Sequence, residues 1–368
     1  MNTKELHYCI ALTLLNGVGV RFAKNLLSLY EGKAENFFLD KHVSKLNIQG
    51  FSKEKLKNLN REEALSLAED HVHFIIKEEI KPLFFYSDDY PQRLKNCLDA
   101  PILLFSKGNF NLNPEKAVAI VGTRNITSYG KRITEELVLG LKALNIQVVS
   151  GMAFGVDVLA HNNCLTHNID TVGVLGHGLD RVYPHQHRGI AHEMMHKQGC
   201  GLLTEFLNQT KPDRENFPKR NRIVAGMTDA TIVIESGGKG GSLITANLAN
   251  DYNRDVFAFP GNVTNPFSKG CNQLIAQNKA HLAESAEQIV KTMGWACATK
   301  KSVQRQFFPN LTDEESEIVE LLKEKELSVD LICLKLKKPI SKVNSTLISL
   351  ELQGVVQGKP GNKFATLY

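Results

Sequence analysis

Between residue 117 and about residue 290 the chain alternates strand-length apolar runs with segments spaced as helices. The runs fall at 117–121, 146–149, 171–175, 201–203, 231–234 and 256–259, and Ile133, Leu137, Leu141 and Leu144 show the helical spacing between the first two. Continuous apolar strands separated by helices require a parallel sheet covered on both faces. The predicted fold class is therefore α/β: a Rossmann-like, doubly wound parallel sheet over 82–295.

In such a sheet, ligands sit at the carboxyl ends of the strands. Three strand ends lead into glycine-bearing loops that open helices: Gly122-Thr123-Arg124-Asn125, Ser150-Gly151-Met152-Ala153-Phe154-Gly155, and Gly237-Gly238-Lys239-Gly240-Gly241-Ser242 with Thr245 one turn on. Glycine lets a backbone approach a ligand, and the first N–H groups of a helix favour anions. Three loops on one edge predict a phosphate-binding rim. Arg124 and Lys239 supply cations within it. Phe217-Pro218-Lys219-Arg220-Asn221-Arg222 adds three positive charges beside a ring that could stack on a base. Asp157 and His161, four apart on a helix, read as a structural hydrogen-bonded pair near the site.

The flanks are smaller modules. Residues 1–75 read as short helices around two Gly turns, Asn16-Gly17-Val18-Gly19 and Gln49-Gly50, resembling a helix-hairpin-helix or SAM-like domain; a plain helical hairpin fits the same pattern. Short strands are expected at 82–86 and 101–106. A polar linker at 296–306 precedes helices at 312–323, 328–336 and 341–353 and a terminal hairpin, the layout of a winged helix over 307–368. Thr312 and Glu315 fit a capping box. The third helix offers only Lys342 and the wing Lys359 and Lys363, little charge for a groove reader.

Composition narrows the partners. With 44 basic and 39 acidic residues the net charge is +5, so contact with nucleic acid must come from placement, not bulk charge. The seven cysteines are widely spaced and contain no CxxC pair, which argues against a disulfide framework or zinc ribbon. The apolar stretch at 8–15 is a poor signal peptide, and no run reaches the ~18 apolar residues of a membrane span. A cytoplasmic protein is expected, with no membrane partner.

Several motifs then fall into one order. Val121-Gly122-Thr123-Arg124, Ser150-Gly151-x-Ala153-x-Gly155-x-Asp157 with His161, and Leu175-Gly176-x-Gly178-Leu179-Asp180-x-x-Tyr183-Pro184 come first. Phe217-Pro218-x-Arg220-Asn221-Arg222-Ile223, Gly241-Ser242-Leu243-x-Thr245-Ala246, Pro260-Gly261 and Gly270-Cys271-Asn272-x-Leu274-Ile275 follow. Over roughly 85–285 this resembles the DNA-processing protein DprA (Smf) family. The resemblance implies a non-enzymatic protein that binds single-stranded DNA across its Gly loops, as a homodimer, and hands it to RecA in natural transformation. It implies no cofactor, no metal and no catalytic residue. One departure is Asn278-Lys279-Ala280, where the family usually has Gly-Ala.

Other chemistries fit less well. His192-Glu193-Met194-Met195-His196 satisfies HExxH, but Gly199 follows almost at once and the segment serves well as a covering helix. A Rossmann-like nucleotide phosphoribohydrolase needs a carboxylate just after the Gly-rich loop, and none occurs before Asp251. Gly176-His177-Gly178 lacks the third glycine of a dinucleotide fingerprint, and no Walker A sequence is present.

Overall fold

The computed structural model describes residues 2–43, 48, 52–295, 311–323, 325–359 and 363–366. The second Gly turn near 46–51 (apart from Ile48), the linker at 296–306 and the hairpin tip at 360–362 lie outside the described residues. The described chain forms two compact units, one running to residue 295 and one from 311.

The first unit is built on nine strands: β1 Lys81–Phe84, β2 Leu103–Asn109, β3 Ala117–Gly122, β4 Gln147–Ser150, β5 Thr171–Val174, β6 Cys200–Thr204, β7 Ala230–Ile234, β8 Asp255–Ala258 and β9 His281–Leu282. Their order is β1-β2-β6-β5-β4-β3-β7-β8-β9. Pairing is parallel from β6 through β9, while β1 and β2 run antiparallel at one edge. The sheet is thus mostly, not wholly, parallel.

The helices of this unit are α1 Thr3–Leu14, α2 Val20–Leu29, α3 Ala34–Leu39, α4 Lys53–Lys57, α5 Arg61–Lys77, α6 Gln92–Lys95, α7 Ser128–Lys142, α8 Val156–His167, α9 Arg188–His196, α10 Asn216–Gly226, α11 Gly241–Asp251, α12 Lys269–Ala276 and α13 Ala286–Thr292. Strand residues alternate between faces, so each face has its own core. Val118 and Ile120 of β3 pack with Leu137 and Leu141 of α7, Ala160 of α8 and Ile289 of α13. Ala119 and Val121 pack with Ile223 of α10, Ala246 of α11 and Leu274 of α12. Full burial of a side chain such as Leu137 contributes about 1.5–3 kcal/mol.

The first five helices share a third core with the antiparallel edge, where Leu12, Leu26 and Phe37 meet Leu103 and Phe105. α1 and α2 are joined by the expected tight turn, with Gly17 at φ 76 and Val18 N–H donating to the Leu15 carbonyl at 3.2 Å. Asn278, at the departure from the family pattern, takes the left-handed conformation itself (φ 54), which Asn tolerates better than most residues.

The second unit comprises α14 Asp313–Lys323, β10 Leu327–Ser328, α15 Val329–Leu336, α16 Ile340–Leu352, β11 Val356–Lys359 and β12 Lys363–Thr366, with sheet order β10-β12-β11. α14 begins with the capping box read from sequence. Thr312 N–H donates to Glu315 Oε2 at 3.0 Å, and Glu315 N–H donates to Thr312 Oγ1 at 3.3 Å. Ile318, Ile332 and Leu347 form its core.

Candidate nucleic-acid interface

The order β5-β4-β3-β7-β8 makes the junction of β3 and β7 a topological switch point. The loops leaving these two strands diverge there and open a crevice at their carboxyl ends. A groove of about 750 Å³ occupies it, walled by the loops after β3, β4 and β7 and by one face of α10. Gly122, Thr123, Arg124, Gly151, Phe217, Arg220, Asn221, Lys239, Gly240, Gly241, Ser242 and Thr245 all line it.

The three helix starts on this rim are not equivalent. At α7 the site is filled by the protein itself. Glu235, the residue after β7, is buried in a left-handed conformation (φ 51). Its carboxylate accepts the Thr127 N–H at 2.9 Å and the Thr127 hydroxyl at 2.5 Å. At α8 the first turn holds Asp157, also buried, so a second carboxylate stands where an anion was expected. α11 alone among the three has no side-chain cap and no acidic residue in its first turn. Its loop is held by the Ser242 hydroxyl donating to Ser236 Oγ at 2.8 Å. Free N–H groups and the helix dipole therefore favour an anion at 240–242.

Asp157 and His161, expected to pair, take separate partners. The Asp157 carboxyl faces the guanidinium of Arg220 across Gly151, where an added Cβ would lie 2.4 Å from Asp157 Oδ2 and 2.3 Å from Arg220 Nη1. Burial pushes the Asp157 carboxyl up to about 6, against the attraction of Arg220. His161 Nε2 donates to the Gly151 carbonyl at 2.7 Å, and Nδ1 lies 2.8 Å from Thr171 Oγ1. Burial pushes this imidazole down to about 4, so it stays neutral near pH 7. Asp157 lines the groove, and His161 holds the Gly151 carbonyl from beneath.

Helical geometry sorts the basic segment. Phe217, Arg220, Asn221 and Val224 share the groove face of α10, as residues three and four apart must. Arg220 is buried and donates to the Val174 carbonyl, so it braces the wall more than it offers charge. Asn221 reaches across to the Gly241 carbonyl at 3.3 Å. Arg222 points elsewhere. It donates to the Asp99 carbonyl and forms an ion pair with the half-buried Glu205. Lys219 is exposed outside the groove lining. Ser150 is buried and donates to the Ile120 carbonyl at 2.5 Å. Gly155 (φ 81) lies where a Cβ would stand 2.1 Å from the Thr123 carbonyl oxygen, so it serves loop packing. Arg222, Lys219, Ser150 and Gly155 thus leave the set of groove-lining residues.

Other groove residues escaped the sequence reading. Tyr183, exposed, lies with its ring 5.9 Å from that of Phe217 at 33°, and Arg124 stands 5.8 Å over the same Phe217 ring. Arg214 adds an exposed cation. Among the described residues, Arg124, Arg214 and Lys239 form no ion pair. The HExxH segment is helix α9, ending at His196. His192 and His196 stack at 4.3 Å, and Glu193 lies 3.8 Å from Lys197. No group of three or more possible metal ligands occurs among the described residues, and none of their helices is long and apolar enough to cross a membrane.

A Rossmann-like sheet with a cationic, aromatic switch-point groove, in one chain with a winged helix, sets the class as an α/β protein built to hold an extended anion. Two family models match: DNA recombination-mediator protein A over residues 81–294 and the DprA winged helix domain over 308–362. The chain belongs to the DNA recombination-mediator protein A (DprA/Smf) family, whose members are recombination mediators, not enzymes. It is 29% identical to protein Smf of Synechocystis over 99% of both chains, and 32% identical to protein Smf of Escherichia coli over 75% of this chain and 74% of that one. Its structure is similar to DNA processing protein A of Streptococcus pneumoniae, with TM-score 0.64, 28% identity, 79% of this chain and 98% of that one covered. It is also similar to DNA processing protein A of Helicobacter pylori, described for its single-stranded DNA binding mode, with TM-score 0.53, 28% identity, and 58% and 95% covered.

Proposed function

We propose that this protein binds single-stranded DNA along the switch-point groove, without sequence preference. The reading rests on one coincidence: the uncapped start of α11, three unpaired cations and two neighbouring aromatic rings line one continuous groove. Phosphates are received by the 240–242 amides, Arg124, Arg214 and Lys239. Phe217 and Tyr183 stack bases, each stack contributing about 1–3 kcal/mol. The rest of the site carries this in support: Gly122, Thr123, Gly151 and Thr245 set the walls, and Asn221 ties α10 to the α11 loop. The single-stranded DNA binding described for the Helicobacter pylori relative supports the same ligand.

Family membership supports a wider role. The protein holds incoming single strands in the cytoplasm, as a homodimer, protects them and passes them to RecA during natural transformation. Fluorescence anisotropy with single- and double-stranded oligonucleotides over a salt series tests the first part. Log affinity for single strands should fall with log salt at about −0.7 per neutralised phosphate, and Arg124→Ala should lower affinity and flatten that slope. Parent-like binding by Arg124→Ala would overturn the groove assignment. Co-sedimentation with RecA on single-stranded DNA tests the second part.

A further inference from the structure

A second hollow, of about 440 Å³, lies beside the groove, lined by Gly237, Gly238, Lys239, Pro266, Phe267, Lys269 and Gln273. Gly237 and Lys239 border both hollows, so the 237–239 loop is the sill between them. That sill is bare. A Cβ at Gly237 would meet nothing within 4 Å, and one at Gly238 would meet only the Lys269 side chain, at 3.4 Å. It is also fixed. Ser236 N–H donates to the Phe267 carbonyl at 2.5 Å, and Gly270 N–H donates to the Ser236 carbonyl at 2.8 Å. At Gly270 a Cβ would stand 2.6 Å from the Gly237 carbonyl oxygen, so the two segments are in backbone contact.

The second hollow repeats the chemistry of the first. Lys269 is exposed and forms no ion pair among the described residues. α12, which it opens, has no side-chain cap and no acidic residue in its first turn. Phe267 supplies a half-buried ring and Gln273 an amide. An anion leaving the groove over the two glycines of the sill, beside Lys239, meets a cation and a ring on the far side.

From this continuity we infer that the bound strand does not end in the groove but crosses the 237–239 sill, its next phosphate on Lys269, its next base beside Phe267. The inference rests on the single-strand reading of the groove. The test is binding of oligothymidylates of about four and about twelve nucleotides, lengths within the usual span for sequence-independent sites. Lys269→Ala should weaken the longer oligomer by about fivefold and flatten its salt slope by about 0.7, one phosphate's share, and leave the shorter one unchanged. Arg124→Ala should weaken both. If Arg124→Ala weakens both and Lys269→Ala changes neither, or weakens both equally, the extension is wrong and the groove stands. If Arg124→Ala changes neither, the groove reading itself fails.

Discussion

Arg124 and Lys239 face the groove with no carboxylate within ion-pairing distance among the described residues, whereas Lys323, Lys338, Lys342, Lys359 and Lys363 of the winged helix are each held by one. Lys342 of α16 is paired with Glu314, Lys338 with Glu317 at 2.6 Å, and Lys359 and Lys363 share Glu326 at 3.5 and 3.4 Å. These contacts lower the Glu314 and Glu326 carboxyls and raise Lys338. The charge of the third helix and the wing that could have met a phosphate is thus paired within its own unit, while Lys335 and Lys337 at the end of α15 form no ion pair among the described residues. In the sheet unit the carboxylates are instead drawn below the rim: Glu235 under α7, Asp157 against Arg220, Glu205 against Arg222. The two regions therefore differ in how their charges are placed, and a net charge of +5 reports neither arrangement.

The largest expected effect contrasts charges rather than ligands. Arg220→Ala leaves Asp157 buried without its compensating cation and should destabilise the chain by about 3–5 kcal/mol. Lys342→Ala, at an exposed pair, should change stability by less than about 1 kcal/mol. Urea denaturation of the full chain reads both, and equal losses would break the distinction. Next comes affinity. Arg124→Ala with Lys239→Ala should weaken single-strand binding on the order of 100-fold at low salt and flatten the salt slope by about 1.4, two phosphates' worth. Lys359→Ala with Lys363→Ala should leave it within about twofold in the same titration.

A pH profile sharpens the picture of the groove floor. The Asp157 carboxyl is raised from 3.8 to about 6, so the folded state holds more protons than the unfolded and stability from this group falls as pH rises through that window. His161 is lowered from 6.5 to about 4, so its contribution rises with pH between those values. The two slopes oppose each other. Asp157→Asn should uncover the His161 slope, with stability increasing from about pH 4 to pH 6.5 by at most about 1.4 kcal/mol per unit. An unchanged profile in denaturation at stepped pH would refute this account. The smallest effect is expected from Glu326→Gln. Freeing Lys359 and Lys363 should raise double-strand binding by no more than about threefold, and a larger gain would show that the pairing masks a real DNA surface.

The sequence made the sheet legible because β3 and β7 are mostly apolar runs and even β4, with Gln147 and Ser150 at its ends, is covered on both faces. The Gly loops were legible for the same reason: strand ends locate them. The sorting of 219–222 was not, since a run of charges does not reveal which residues face the groove until α10 has a fixed rotation. Phe217 at 217 and Asn221 at 221 set that rotation, and with it Arg222 turns to Glu205. Glu235 was missed because its partner Thr127 is far away in sequence. Tyr183 and Arg214 sit in irregular segments with no periodicity to mark them.

Glu235 also decides what the fold refuses. In a dinucleotide-binding Rossmann domain, the pyrophosphate rests on the helix that follows the first strand of the switch point. Here that seat carries the Glu235 carboxyl group, hydrogen-bonded twice to Thr127. A coenzyme arriving there would meet donors that are already committed. On the proposed reading, a strand in the crevice enters from the α11 side and bypasses the occupied seat.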